Sequence, residues 1–153
     1  MKIEIREATL NDVDNGLLDV FIEGYRYHQN GRPDIFQNLT DGELKTDLIQ
    51  NFGKFSTIIL LEECKIIGYL SYMIKEHHDK KLFVDQLVIS KNCRHQGYGK
   101  KLMDRAKEIA TIENCERIEL DCWVFNEDAI NIYEHIGYKR QRIKYEMSLK
   151  DKI

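Results

Sequence analysis

The sequence predicts an α/β fold in which one mixed sheet carries helices on both of its faces. Two observations support this prediction. Apolar runs and apolar–polar alternation, which are typical of strands, recur along the 153-residue chain. Between them lie stretches whose apolar residues recur every three or four positions, which is typical of helices. Their order, β-α-α-β-β-β-α-β-α-β, favours helices layered on both sides of a sheet.

Composition predicts one soluble globular domain spanning 1–153, because the chain has 42% hydrophobic and 32% charged residues. No apolar stretch approaches the ~20 residues that cross a bilayer, so no membrane partner is expected. The first ten residues lack the apolar centre of a signal peptide, and the four cysteines show no CxxC pair or metal-ligand spacing. We therefore expect reduced thiols, a cytoplasmic location and no metal site. A net charge of −3 without a long basic stripe argues against nucleic acid as a partner.

The first strand and two helices are predicted from the N-terminal third of the chain. "KIEIREA" alternates like a strand. Thr9 followed by Asp12 forms a capping-box pattern, which predicts a helix start. Thr40 and Glu43 repeat the pattern before a second helix. The apolar positions that share a helix face are Val13, Leu17, Phe21 and Tyr25 in the first helix, and Leu44, Leu48 and Ile49 in the second.

The remaining elements alternate between strand and helix patterns. "FSTIILLEECKIIGYLSYMI" predicts a hairpin that turns at Glu62–Lys65, and "KLFVDQLVIS" predicts the next strand. A helix then follows, and "RIELDCWV" predicts a further strand. "NEDAINIYEHI" predicts a helix capped by Asn126 and ended by Gly137, and "YKRQRIKYEMSL" predicts a final strand. The apolar face of the helix after "KLFVDQLVIS" comprises Leu102, Met103, Ala106, Ile109 and Ala110.

A glycine segment between that strand and its helix has the layout of an anion site. Glycines allow a sharp turn that brings bare N–H groups toward a ligand, and a helix N-terminus adds partial positive charge. The spacing is Arg94-x-x-Gly97-x-Gly99. It lacks the first glycine and the Ser or Thr of a Walker loop, and Leu102 stands where a dinucleotide-binding loop has its third glycine. A plain structural turn is the alternative interpretation.

Two motifs resemble the GCN5-related N-acetyltransferase (GNAT) family. "LVISKNCRHQGYGKKLM" is similar to the stretch in which R/Q-x-x-G-x-G/A opens the helix that binds the pyrophosphate of acetyl-coenzyme A (acetyl-CoA). "NEDAINIYEHIGYKR" resembles the family's N-x-x-A-x-x-x-Y-x-x-x-G-[FY] pattern. Lys91 stands where family members often have proline. The resemblance covers the whole chain and implies a mixed, mostly antiparallel sheet and acetyl-CoA as acetyl donor.

The resemblance implies that main-chain groups bind most of the cofactor. In the family, the strand before the glycine segment separates from the next strand, and its exposed main chain pairs with the pantetheine arm. Asn126 is implied to contact the pantetheine portion as well as to cap its helix. The implied main-chain contacts are Leu87, Val88 and Ile89 on the strand, and Arg94, His95, Gln96, Gly97, Tyr98, Gly99 and Lys100 on the segment.

Two side chains are candidates for acid–base catalysis. Tyr133 matches the tyrosine of the family pattern, which implies that it protonates the departing thiolate and contacts the cofactor. The alternative is a buried tyrosine with a purely structural role. An ammonium group with a pKa of about 10.4 must lose a proton before attack, and Asp85 lies where family enzymes often carry a glutamate base. Asp85 would act directly or through water, unless it is merely a polar residue on the strand surface.

The acceptor is expected to be a primary amine of a small molecule. In the family the first helices and their loop form the acceptor wall, which implies Tyr25, Tyr27, His28 and Phe36 as substrate contacts. The alternatives are a protein N-terminus or lysine as acceptor, a non-catalytic acyl-CoA sensor, and a nucleotide-binding protein. Final strands of such sheets often support dimers, so a homodimer is also among the expectations.

Overall fold

A five-stranded sheet lies at the centre of the fold. The structure is a computed structural model that describes residues 1–150. The strands follow one another across the sheet in chain order, and every neighbouring pair is antiparallel except β4 and β5, which are parallel. The predicted mixed, mostly antiparallel sheet is therefore confirmed. The strands are β1 (Ile3–Glu7), β2 (Ser56–Glu62), β3 (Lys65–Glu76), β4 (Lys80–Ile89) and β5 (Arg117–Leu120).

Residues 1–150 contain four α-helices, of which three lie between strands and the fourth follows β5. The capping box at Thr40 is present, since its hydroxyl accepts from the Glu43 N–H at 3.1 Å. The box at Thr9 opens a 3-10 helix, Leu10–Asn15, and Gly16 in the left-handed region (φ 118°) separates it from α1. The single first helix that the sequence predicts is thus divided in two. No helix within residues 1–150 is long and apolar enough to cross a membrane. The helices are α1 (Leu17–Gly31), α2 (Asp41–Asn51), α3 (Tyr98–Ile112) and α4 (Glu127–His135).

Each face of the sheet has its own apolar core. On one face, α1 and α2 pack against side chains such as Ile59, Tyr69 and Val88. On the other, α3 places Leu102 and Ala106 against β2 to β5. Because strand side chains alternate between faces, a single sheet serves both cores, as the sequence predicts.

β4 and β5 pair over only four residues. Lys81 to Val84 of β4 lie opposite Arg117 to Leu120 of β5, and β5 ends there. The predicted strand "RIELDCWV" is therefore too long, since 121–123 carry no regular structure. β4 continues to Ile89 along β3 alone. The strands thus diverge, and one edge of the second half of β4 has no strand partner within residues 1–150.

A β-bulge in β4 changes which side chains face which core. Ser71 lies opposite Gln86 and Tyr72 opposite Val84, so Asp85 has no partner residue. Before the bulge Val84 belongs to the core under α3, and after it Val88 belongs to the core under α1. After the bulge, side chains of β4 such as Val88 therefore face α1 instead of α3.

The predicted final strand is not formed in the chain. Residues 139–149 contain no strand, turn or helix, and all of them are exposed. Their alternating pattern matches a strand, but a strand also needs a neighbour for its main-chain groups, and none pairs with them within residues 1–150.

One ion pair, of which only the Asp12 carboxylate is buried, joins β1 to the start of the helical region. Asp12 is 5% exposed and accepts two hydrogen bonds from the Arg6 guanidinium, at 2.8 and 2.9 Å, and one from the Thr9 N–H at 2.7 Å. The Arg6 contact lowers the pKa of the Asp12 carboxyl. A lowered pKa in the folded state means that the pair stabilises the fold above about pH 4 and less so below it.

We expect Asp12→Asn to lower the free energy of unfolding by about 1–3 kcal/mol at neutral pH, because a charged hydrogen-bond acceptor is lost. The difference between the two proteins should shrink as pH falls below about 4, because the unfolded carboxyl takes up its proton first and the native one only at still lower pH. Urea unfolding across that pH range measures both effects. A difference that does not change with pH would contradict this assignment.

Candidate active site

A cavity of about 680 Å³ lies where β4 and β5 diverge. Four parts of the chain line it: the end of β4, the segment that leads into α3, the middle of α1, and α4 with its N-cap. Of the residues predicted to contact a cofactor, all except Gln96 line this cavity. Tyr27, His28 and Tyr133 line it as well, whereas Tyr25, Phe36 and Asp85 do not.

The main chain at the end of β4 points into the cavity. The Ser90 N–H donates to the Ile67 carbonyl of β3 at 2.7 Å. Main-chain groups of successive residues point to opposite edges of a strand, so those of Leu87 and Ile89 face away from β3. The Arg94 side chain confirms this direction, since its Nε donates to the Ile89 carbonyl at 3.0 Å. The strand thus offers an N–H and a carbonyl on its open edge.

The segment before α3 presents a run of unpaired N–H groups. Within residues 1–150, no hydrogen bond is made by the seven main-chain N–H groups from Arg94 to Lys100. The helical pattern begins only at Lys101, whose N–H donates to the Gly97 carbonyl at 3.1 Å. His95 (φ 63°) and Gly97 (φ 80°) are both left-handed, a curvature that gathers N–H groups around one concavity. We call residues 94–100 the N–H cradle; with the α3 N-terminus it is suited to an anion such as a pyrophosphate.

The two glycines of the cradle differ in their surroundings. A Cβ on Gly97 would meet nothing within 4 Å, so only its left-handed backbone favours glycine there. A Cβ on Gly99 would lie 3.9 Å from Leu87 and 4.0 Å from Ile89, which is ordinary contact. Gly99 is buried, but close packing does not require a glycine at that position.

Side chains of the cradle mostly point elsewhere. The Tyr98 ring is buried in the core under α3, and its hydroxyl donates to Glu62. Lys100 pairs with Asp104 at 2.9 Å, one helical turn along α3. Tyr98 can therefore offer a ligand only its main chain.

Tyr133 lies on α4 at the inner wall of the cavity. It is half-buried, and burial raises its pKa above the ordinary value for tyrosine. Its ring lies 6.1 Å from that of Tyr138. A phenol with a raised pKa keeps its proton at neutral pH, so the hydroxyl is available as a proton donor.

Asn126 fixes the start of α4 and connects it to α1. Its Oδ1 accepts from the Ala129 N–H at 3.3 Å, which confirms the predicted N-cap. The same oxygen accepts from the Tyr27 hydroxyl, also at 3.3 Å. Tyr27 also lies under the Arg94 guanidinium, 5.7 Å from its ring centre. These contacts connect three walls of the cavity, namely α1, the start of α4 and the N–H cradle.

Asp85 lies at the bulge of β4, outside the residues that line the cavity. Although the residue as a whole is exposed, partial burial of its carboxyl raises its pKa, and Lys54 and Lys75 oppose that rise. In this geometry Asp85 does not directly contact a molecule in the cavity.

His28 has a defined proton arrangement. Its Nδ1 lies 2.8 Å from the Gly24 carbonyl, an oxygen that can only accept, so Nδ1 must carry the proton. The other ring nitrogen, Nε2, is then a free acceptor when the ring is neutral. Because His28 lines the cavity, it is a second candidate for the base, which the sequence predicted only as part of the acceptor wall.

Six rings form an aromatic cluster beside the cavity: Tyr25, Tyr27, His28, Phe36, Trp123 and Phe125. Their centres lie 5.5–6.1 Å apart along a continuous chain of contacts. Tyr25 and Phe36 take part in it without lining the cavity, and the Tyr25 hydroxyl donates to the Gln37 carbonyl at 2.7 Å. Trp123 and Phe125 were missed, although two aromatics placed just after an apolar strand were a usable signal.

Two glycines of α1 allow the helix to approach the site closely. A Cβ on Gly24 would lie 2.9 Å from a methyl of Val88 on β4. A Cβ on Gly31 would lie 2.3 Å from the Phe125 ring. Both distances are shorter than van der Waals contact, so a larger residue would displace β4 or the aromatic cluster.

The fold and the site define a protein with a cavity between two diverging strands, a run of unpaired N–H groups that is suited to an anion, and a half-buried phenol on the cavity wall. The family model described as "Acetyltransferase (GNAT) family" matches residues 21–138. The chain belongs to this family, as its two motifs predicted.

Similar proteins include enzymes with different acceptors in their names. The chain is 30% identical over 78 residues to N-alpha-acetyltransferase 30 from Saccharomyces cerevisiae, covering 50% of this chain and 44% of that protein. It is 24% identical over 91 residues to a probable spermine N(1)-acetyltransferase from Bacillus subtilis subsp. natto, covering 56% and 60%. Each match thus spans less than two thirds of the curated relative.

The fold also matches solved structures. A mutant of the BH1408 protein from Bacillus halodurans superposes with a TM-score of 0.82 at 21% identity, covering 96% of this chain and 99% of that one. At that identity the likeness shows the fold alone.

We expect Gly31→Ala to destabilise the protein by about 1–3 kcal/mol, since the new methyl group overlaps the Phe125 ring. Trp123 is the only tryptophan in the sequence and stacks on Phe125, so its fluorescence should shift as the aromatic cluster moves. Gly42→Ala is the matched control, because Gly42 is exposed on α2 and its Cβ would meet only Thr40 Oγ1, at 3.9 Å. Unchanged fluorescence and stability in Gly31→Ala would contradict this packing.

Proposed function

We propose that this protein is an N-acetyltransferase that moves an acetyl group from acetyl-CoA directly to a primary amine of a small molecule. The observation that carries the proposal is the N–H cradle, which opens into the same cavity as the free edge of β4 and the Tyr133 hydroxyl. The cradle would bind an anion, the β4 edge would pair with a main-chain-like arm, and the hydroxyl would donate a proton.

The residues present fit acetyl-CoA. Seven unpaired N–H groups suit a pyrophosphate, whose charge they and the α3 N-terminus would stabilise. The main chain of Leu87 and the Ile89 N–H face away from β3 and suit an arm that carries amide groups, whereas the Ile89 carbonyl already accepts from Arg94. When bound, acetyl-CoA supplies an activated thioester. A free N–H of this edge would polarise the thioester carbonyl.

Tyr133 would act as the acid. Its hydroxyl is protonated at neutral pH, as at the ordinary pKa of tyrosine, and its place on the cavity wall would give it access to that sulfur. The proton then passes from the hydroxyl oxygen to the sulfur.

The base has two candidates. His28 lines the cavity with Nε2 free to accept the amine proton. Asp85, predicted from the sequence, would have to act through water, because it lies outside the cavity lining. Its raised pKa makes it a better proton acceptor than an ordinary aspartate.

A small amine is supported by the two rings of the aromatic cluster that line the cavity, Tyr27 and His28. Aromatic faces attract cations, and an amine waiting to react is mostly an ammonium at neutral pH. The name of the Bacillus subtilis relative contains spermine, a small polyamine. A protein N-terminus is the alternative acceptor, which the name of the yeast relative favours. We also infer a reducing, cytoplasmic setting, since all four cysteines are free.

We expect Gly97→Ala to weaken acetyl-CoA binding at least tenfold, because the strained backbone displaces N–H groups of the cradle. Gly137→Ala is the matched control: it has a similar positive φ (103°) and open surroundings but lies outside the cradle. Calorimetric titration should show normal affinity for the control and weak affinity for Gly97→Ala, with similar losses of stability in both. ATP bound in preference to acetyl-CoA would favour the nucleotide-binding alternative.

We expect Tyr133→Phe to lower kcat by about 10²–10⁴-fold while acetyl-CoA still binds, because only the proton donor is removed. Tyr138→Phe, the same change in the neighbouring ring, should leave kcat almost unaltered. Thiol release measured with acetyl-CoA and a diverse amine panel provides the rates. Binding without transfer to any amine in the native protein would instead support the non-catalytic sensor.

The two base candidates can be separated by pH. Loss of the base should slow transfer most near pH 7 and least near pH 10, where about a third of the amine is already neutral. We expect this pattern for His28→Asn if the ring accepts the proton, and for Asp85→Asn if the water route operates. Flat ratios of mutant to native rate across pH in both variants would exclude both residues.

A further inference from the structure

The guanidinium of Arg94 lies against the free edge of β4. Its Nε donates to the Ile89 carbonyl at 3.0 Å. That carbonyl faces away from β3, so the bond lies on the side where a ligand would pair with the strand. Arg94 is half-buried there, although His95 and Gln96, the next two residues, are exposed. The Arg94 side chain therefore extends into the cavity that it lines.

The position of Nε matches that of a main-chain nitrogen in a paired strand. The N–H donor of a neighbouring strand lies about 2.9–3.0 Å from the carbonyl oxygen that it bonds. The guanidinium thus stands in for an amide of a ligand arm on this edge. The same guanidinium lies over the Tyr27 ring of α1, 5.7 Å from its centre. Arg94 therefore connects β4 to α1 across the space that an arm would enter.

The charge of Arg94 has no carboxylate partner within residues 1–150. The ion pairs in that range include Arg26 with Asp41 and Arg105 with Glu108, but none with Arg94. Its Nε bond is to a neutral carbonyl, and its terminal nitrogens donate no hydrogen bond in the same range. A guanidinium has five N–H donors, so those outside Nε remain available to a ligand. An unpaired cation at the start of the N–H cradle favours an anion there.

We propose that Arg94 makes the donor site selective for thioesters that carry a pyrophosphate. Its guanidinium covers the Ile89 carbonyl and limits the access of an arm to β4. A pyrophosphate in the N–H cradle offers charged oxygens, which bond a guanidinium more strongly than a neutral carbonyl does, so the side chain leaves the edge. The arm of the same donor then pairs with the uncovered strand. Because it concerns how acetyl-CoA enters the cavity, this proposal rests on the proposed function.

Donors with the same thioester are distinguished in this way. S-acetyl-pantetheine has the arm but no phosphate, so it must displace Arg94 without a new contact for the guanidinium. A ligand shifts a conformational equilibrium only as far as it prefers one state over the other. The short donor gains nothing from a displaced guanidinium, whereas acetyl-CoA does. S-acetyl-pantetheine is therefore disfavoured by more than the cradle contacts that it lacks.

The variant Arg94→Ala separates this role from a purely structural one. It should bind S-acetyl-pantetheine about tenfold more tightly than the native protein, because a charged hydrogen bond no longer competes with the arm. Its affinity for acetyl-CoA should not rise, since the contact with the pyrophosphate is lost as well. A side chain that merely anchors the connection from β4 to α3 would instead weaken the binding of both donors when removed. Calorimetric titration of the full chain with each donor measures these affinities.

The matched control is Arg105→Ala. The Arg105 guanidinium also donates to a main-chain carbonyl, that of Ile5 at 3.3 Å, but it lies on α3 outside the cavity lining. This variant should leave both affinities unchanged. A gain in affinity cannot come from a damaged fold, so tighter binding by Arg94→Ala remains diagnostic even if that variant is less stable. Binding of S-acetyl-pantetheine by Arg94→Ala that equals or falls below that of the native protein would overturn the inference.

Inorganic pyrophosphate tests the coupling between the cradle and the edge of β4. In the native protein it should tighten the binding of S-acetyl-pantetheine about threefold relative to chloride at equal ionic strength, because it draws Arg94 from the edge. The effect should disappear in Arg94→Ala. Independent or competitive binding of pyrophosphate and S-acetyl-pantetheine to the native protein contradicts the proposal.

Failure of this inference is distinguishable from failure of the proposed function. If the native protein binds acetyl-CoA but Arg94→Ala shows no gain for the short donor, only the role of Arg94 is overturned. If the native protein does not bind acetyl-CoA, the proposed function is overturned and the role of Arg94 with it.

Discussion

The divergence of β4 from β5 after Val84 is the constraint on which the rest of the site depends. A continuous parallel ladder would use the main-chain groups of Leu87 and Ile89 within the sheet and leave no cavity. Because β5 ends at Leu120, those groups have no strand partner on that edge, and α4 and the N–H cradle line the cavity there. Unpaired main-chain groups are costly when buried, so such an edge persists only where water or a ligand can reach it.

The same divergence explains why α1 carries glycines where it crosses the sheet. Gly24 rests on Val88 and Gly31 on Phe125, so the helix approaches the open end of β4 closely. This brings Tyr27 within reach of Asn126 on the far side of the cavity. Glu23, one residue before Gly24, accepts from the Lys91 N–H at 2.6 Å and from the Ser90 hydroxyl at 3.1 Å, which anchors the start of the connection to α3. Close packing of α1 at its glycines and a few hydrogen bonds thus hold the walls of the cavity together.

Sequence reasoning located the parts of the site that depend on local main-chain geometry. Gly97 and the Asn126 cap can each be recognised in a short motif, and both lie where predicted. It could not locate features that depend on distant pairing. The bulge at Asp85 arises from the register between β3 and β4, and no motif encodes it. The segment 139–149 shows the same limit. Its alternation predicts a strand, but the residues of a strand do not show which other strand it pairs with.

The tautomer of His28 could not be predicted from the sequence either, because it is set by the Gly24 carbonyl of the same helix.

The N–H cradle and the aromatic cluster can change independently of one another through substitution. The contacts of the cradle are main-chain N–H groups, whereas the aromatic cluster is made of side chains. Replacing a ring that lines the cavity, such as His28, alters one of its walls and leaves the N–H groups of the cradle in place. The two kinds of wall are therefore free to vary separately: recognition by backbone shape can be inherited intact while recognition by side chains is rebuilt.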